Sequence, residues 1–223
     1  MHLVQIPPYS CLVLNRKIRN TESVKERNRQ AIIDAAGELA STRGIGSFTA
    51  VDLAERAGTS RRSIFNHFHS ADDAVYAYLS QCLEGLFERA SNIGESTGSA
   101  DDLISYLQRT VLLDESYEIL EHISAVISTD ARRSGTLAWA SQIIERAANV
   151  LADAVRQAVP NISDVDAHLL SHTIISAIQT AQALWVNMSE EHKGSREEWN
   201  SLHHRALELV RIGPVALRAD SAI

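Results

Sequence analysis

Between Ser60 and Phe68 the chain reads Ser-Arg-Arg-Ser-Ile-Phe-Asn-His-Phe, which packs two guanidinium groups, hydroxyls, an amide and an imidazole into one short stretch. What these side chains share is hydrogen-bond donation. Arg pairs with guanine edges or with phosphates, and Ser and Asn can serve either role. Ile64 and Phe68 stand four apart, so on a helix they form one apolar face. Arg61, Arg62, Ser63, Asn66 and His67 are left to face solvent. A short helix of that kind fits the major groove of DNA, about 12 Å wide. No Gly-rich phosphate loop, nucleophile elbow or paired metal motif stands elsewhere in the sequence, so the chain does not read as an enzyme.

The residues just upstream have what is needed to hold such a helix. Thr49 followed by Asp52 is a capping box, which opens a helix over about Ala50–Ala57. Leu53 and Ala54 face inward from it, and Phe48 and Leu53 stand where a hydrophobic staple packs. Ala57 is small enough for a second helix to pass close, Gly58 takes the sharp turn, and Ser60 caps the helix over about Ser60–His67. Two short helices joined by a tight turn make a helix-turn-helix. A first helix over about Val24–Thr42 precedes them, with Ile32, Ala36, Leu39 and Ala40 on one face and Gly44 as a left-handed cap.

In order and spacing, the stretch from about Arg27 to Tyr78 resembles the DNA-binding domain of the TetR family of transcriptional regulators. The matching landmarks are the first helix ending at Arg43-Gly44, the cap at Thr49, Asp52-Leu53-Ala54, Ala57-Gly58-Thr59-Ser60 and Phe65-Asn66-His67-Phe68. The resemblance implies DNA contacts from Lys25, Arg27, Arg29, Thr49, Thr59, Ser60, Arg61, Arg62, Ser63, Asn66 and His67. Two positions depart from the family: Phe65 stands where Tyr is usual, and Ala71 where Lys is usual. Both remove a group that could hold a phosphate. The amides at the start of the next helix offer a substitute.

Charge is distributed to match. The chain carries a formal −7, yet residues 1–70 hold 10 Lys/Arg against 6 Asp/Glu, and residues 71–223 hold 11 against 22. A basic head on an acidic body suits a phosphate-binding head and keeps the body off DNA. No apolar run approaches the roughly 18–20 residues of a membrane span, and Met1–Leu14 lacks the order of a secretory signal, so the expected compartment is the cytoplasm. Cys11 and Cys82 are expected as separate reduced thiols. No metal or cofactor is expected.

The rest of the chain reads as helix. Capping boxes at Ser23–Glu26, Ser70–Asp73, Ser99–Asp102, Ser163–Asp166 and Ser195–Glu198 join Thr49–Asp52. Beyond the helix-turn-helix the expected helices run near 71–90, 101–113, 117–129, 135–159, 164–188 and 196–212, with a polar break at 92–99 and stops at Pro160 and Gly213-Pro214. This predicts an all-α protein of about nine helices: an arm over 1–22, a helix-turn-helix domain over 23–69, and a helical domain over 70–223 for ligand binding and dimerisation. Tyr106, His122, Trp139 and His172 are the candidate polar groups of a small-molecule pocket. The family resemblance implies a homodimer whose last two helices pair with their copies. Ile174, Ala177, Ile178, Ala181, Leu184, Trp185, Trp199, Leu202, Ala206 and Leu209 are the candidates for that interface. The implied function is a repressor released from a palindromic operator by a small molecule. The rival reading is a helical protein-interaction module with a weakened helix-turn-helix.

Overall fold

The computed structural model describes residues 23–91, 99–111, 114–128, 134–188 and 195–212. The expected arm 1–22, Cys11, residues 92–98 of the expected break at 92–99 and the stop at Gly213-Pro214 lie outside them. Among the described residues there are nine helices and no strand: α1 Val24–Arg43, α2 Ala50–Arg56, α3 Arg61–His67, α4 Ala71–Ser91, α5 Ala100–Val111, α6 Asp114–Ser128, α7 Ser134–Ala158, α8 Asp164–Val186 and α9 Arg196–Ile212. No helix is long and apolar enough to cross a membrane, among the described residues.

Six of the nine described helices start where the hydroxyl–carboxylate pairs stand. At Ser23, Thr49 and Ser70 the box is reciprocal: the hydroxyl accepts the amide three residues on, and the carboxylate accepts the cap amide. At Ser99, Ser163 and Ser195 the hydroxyl accepts the amide of Asp102, Asp166 and Glu198. Helix ends are equally local. Gly44 donates its amide to Ala40 O at 2.8 Å, closing α1. Its φ of 86° is positive, but its ψ of 160° is extended, so it is not the left-handed cap expected. This region of backbone is reached essentially by glycine alone. After α7, Pro160 is followed by Asn161 at φ 64°, one of the few side chains that tolerate that conformation.

The described residues form two compact units: those within 1–85 and 121–141, and those within 86–120 and 142–223. In the first, Ile32, Ile33, Leu53, Ile64, Val75 and Leu79 are fully buried. Tyr78 of α4 fits against α1 because residue 37 is glycine: a Cβ there would stand 2.5 Å from the Tyr78 ring. On its other side the Tyr78 hydroxyl meets His122 Nε2 of α6 at 2.9 Å. Trp139 of α7 stacks on Tyr76 and donates its indole N–H to Ser80 Oγ at 2.9 Å.

The second unit has a core of Leu103, Leu107, Leu151, Val155, Ile174 and Leu207, drawn from α5, α7, α8 and α9. α8 and α9 pair closely, and α9 also packs on α5. Beside this core lies an aromatic cluster: Tyr117, Trp185 and Trp199 meet edge to face at centroid distances of 5.3–5.7 Å. Such geometry sets the positive ring edge against the negative face. His203 stacks on Trp199 at 3.7 Å and donates from Nδ1 to the Trp199 carbonyl.

Candidate nucleic-acid interface

α2 and α3 are held by backbone bonds through the turn between them. Gly58 N–H reaches Glu55 O, and Thr59 N–H reaches Ala54 O at 2.9 Å. Gly58 has φ 64°, which the turn requires and which a side chain would resist. Ser60 Oγ accepts the Ser63 amide at 3.1 Å and so caps α3. Ile64 is fully buried and Phe68 nearly so. With that face committed, the rest of α3 turns outward: Arg61, Arg62, Phe65 and Asn66 are exposed, and Ser63 and His67 are half-buried. The outward set expected from spacing therefore lies on one exposed surface. Thr59 is half-buried and Ser60 exposed in the adjoining turn.

A second group of cations lies at the start of α1, where Lys25, Arg27 and Arg29 are all exposed. The Arg29 guanidinium stands 5.1 Å over the Phe68 ring, at the C-terminal end of α3. His67 belongs to the same neighbourhood. Partial burial, and then the charges of Lys25 and Arg29, hold its imidazole below the usual histidine value. Crowded cations of this kind attract an anion that relieves their repulsion.

Not every arginine of the domain is available. Arg56 is paired with Glu38, and Arg43 lies 3.8 Å from Asp52. Lys25, Arg29, Arg61 and Arg62 have no carboxylate partner among the described residues. Thr49 is occupied: its hydroxyl accepts the Val51 and Asp52 amides and donates to Asp52 Oδ2 at 2.6 Å. Those bonds from Thr49, with Arg43 nearby, hold the Asp52 carboxyl below its ordinary value. The amides at the start of α4 are less open than expected. Ser70 and Asp73 bond each other's amides, and Asp72 and Asp73 place negative charge in that first turn. A phosphate there would meet acid rather than a free helix end.

Spacing alone drew attention to Phe65 only for its missing hydroxyl. The structure shows Phe65 49% exposed, with the Arg61 guanidinium 5.6 Å over its ring. The signal was present: Ile64 and Phe68 claim the inner face, so residue 65 must point out.

The candidate pocket residues are not gathered in one unit. His122 and Trp139 belong to the first, Tyr106 and His172 to the second. His122 is buried, which lowers its proton affinity, and it is bonded to Tyr78. Trp139 is buried and bonded to Ser80, Tyr106 is half-buried with Arg109 at 5.9 Å, and His172 is exposed.

The candidate interface residues also divide. Ile174, Ala181, Trp185 and Trp199 are buried inside a single chain, so their surfaces are spent on their own unit. Ala177, Ile178, Leu202, Ala206 and Leu209 are half-buried, and Leu184 is 55% exposed. The apolar stripe did not distinguish the two uses. The outer face of α8 instead presents Val165, Leu169, His172, Ser176, Thr180 and Leu184, at helical spacing.

Residues 32–73 match the family model for bacterial regulatory proteins of the tetR family. The chain is 30% identical over 86 residues to the HTH-type transcriptional regulator TtgR of Pseudomonas putida, a stretch covering 39% of each protein. It is 28% identical over 108 residues to the HTH-type transcriptional repressor KstR2 of Mycolicibacterium smegmatis, covering 48% of this chain and 50% of that one. The matches thus span half or less of these curated relatives. A solved structure of a tetR-family regulator from Mesorhizobium loti is similar in fold, with a TM-score of 0.59 at 15% identity, over 85% of this chain and 97% of that one.

Proposed function

We propose, from the premise that this chain belongs through its N-terminal domain to the tetR family of bacterial regulatory proteins, that it is a DNA-binding transcriptional regulator and not an enzyme. The observation that carries this is the exposed set Lys25, Arg29, Arg61 and Arg62, left without carboxylate partners while Arg43 and Arg56 of the same domain are neutralised. Uncompensated cations beside an exposed recognition helix are what a polyanion requires. Arg61, Arg62, Ser63 and Asn66 meet base edges and nearby phosphates. Thr59 and Ser60 border them in the turn, and Lys25, Arg27, Arg29 and His67 meet the backbone.

The protein acts as a homodimer in this reading, its two recognition helices entering successive major grooves about 34–36 Å apart on a palindromic operator. The exposed face of α8, with Leu169 and Leu184, supplies much of the contact between copies. A small molecule held by the helical domain releases the operator. It does so by binding more tightly to the arrangement whose heads are mismatched to that spacing. Repression follows from blocking the operator.

A mobility-shift series at rising salt tests the central claim. Affinity for the selected operator falls steeply with salt as phosphate counterions are released on binding. An affinity indifferent to salt sinks the reading and favours a protein-interaction module.

A further inference from the structure

We propose that Arg61 and Phe65 form one reading unit, in which the Phe65 ring meets the C5 methyl of a thymine and Arg61 pairs with the edge of a neighbouring guanine; this rests on the DNA-binding reading above. Phe65 lies one turn after Arg61 on α3 and next to Asn66, so whatever surface the polar face approaches, the ring approaches too. Its inner-face neighbours Ile64 and Phe68 are buried, yet Phe65 is 49% exposed. A large ring left in water gains by being covered. With no hydroxyl, it cannot hydrogen-bond a phosphate, so its target must be apolar. In the major groove only thymine offers such a group.

The Arg61 guanidinium stands 5.6 Å over this ring. A guanidinium held over an aromatic face by cation–π attraction leaves N–H groups for a bidentate partner, and it loses less freedom on binding because it is already held. The matching partner is guanine, through O6 and N7. Ring and guanidinium therefore specify adjacent bases rather than one base and a phosphate. The absent hydroxyl at position 65 exchanges a contact blind to sequence for one that reads it.

The test begins by selecting the tightest-binding duplex from a random-sequence library with the full chain. Each symmetric pair of thymines in it is then replaced by deoxyuridine, which removes only the methyl. The expected result is one thymine pair whose replacement weakens binding about fourfold per half-site, the value of one buried methyl-sized group. Phe65→Ala binds the thymine and deoxyuridine duplexes alike, while Phe65→Tyr, which keeps the ring, retains the preference. The proposal is overturned, with DNA binding intact, if no deoxyuridine duplex loses affinity. The same holds if Phe65→Ala keeps the preference while circular dichroism shows its helices unchanged. A library that yields no enriched duplex overturns the DNA-binding reading itself.

Discussion

Arginines on the recognition surface of the first unit and arginines of the second unit are used in different ways. In the first, Arg61 and Arg62 stand in water with no carboxylate partner among the described residues. In the second, Arg211 is paired with Glu208 and lies 3.5 Å from Asp101, while Arg196 stands 4.6 Å over the Tyr117 ring. The pairing with Arg211 holds the Glu208 carboxyl below its ordinary value. Arg211 is thus balanced by carboxylates and Arg196 is held over a ring, whereas Arg61 and Arg62 have no carboxylate beside them among the described residues. Exposed charges contribute little to folding, so the recognition surface can leave its cations unmatched at small cost, available to a partner outside the chain.

That contrast can be broken most severely at Trp199. It is fully buried in the aromatic cluster, so Trp199→Ala costs about 3–5 kcal/mol of unfolding free energy. Denaturant unfolding monitors the loss, and a change below about 1 kcal/mol would mean that the cluster is not packed as described. The double variant Arg61→Ala, Arg62→Ala tests the other side. Operator affinity drops at least about tenfold, from the loss of contacts to base edges, while the thermal midpoint stays unchanged. Unaltered affinity would remove α3 as the recognition helix.

A smaller effect is expected at Leu184, which is exposed on α8. Leu184→Glu places a charge on the face proposed between copies. Self-association measured by sedimentation weakens about tenfold, at the scale of one buried leucine, and helix content is retained. An undisturbed dimer would move the interface off this face. The smallest effect is pH-dependent. Burial lowers the proton affinity of His122 and His203 below that of the unfolded chain. Stability is therefore full above the unfolded histidine value, about 6.5, and is lost as pH falls through it, because unfolding then takes up protons. Thermal midpoints recorded from pH 8 to 5.5 should fall at the acid end, and His122→Gln should flatten that fall. An equal decline in the variant would exclude His122 as a cause.

How far the chain could be read from its letters follows from the same physics. Helix starts were legible because a hydroxyl and a carboxylate three residues apart act locally, as Ser23 and Glu26 do. The outer face of α3 was legible because Ile64 and Phe68 leave a seven-residue helix only one way to turn. The tail was harder. α8 is apolar on more than one side, so spacing does not tell Ile174, spent inside the unit, from Leu184, left outside. The pocket candidates divide between the two units, and spacing carries no sign of that. His122 Nε2 and Trp139 Nε1 are each bonded within their own unit. Pairings such as His122 with Tyr78 join residues 44 apart and carry no local signature.

The vacancy at residue 37 constrains more than one position. The Tyr78 ring fills the space that a side chain on Gly37 would need, and its hydroxyl is the partner of a buried imidazole. Enlarging residue 37 would require a smaller residue at 78, and a residue without that hydroxyl would strand His122. The three sites are therefore exchangeable only as a set. Single replacements at any one of them should do more harm than the matched triple, which makes this trio the natural place to look for non-additive mutational effects.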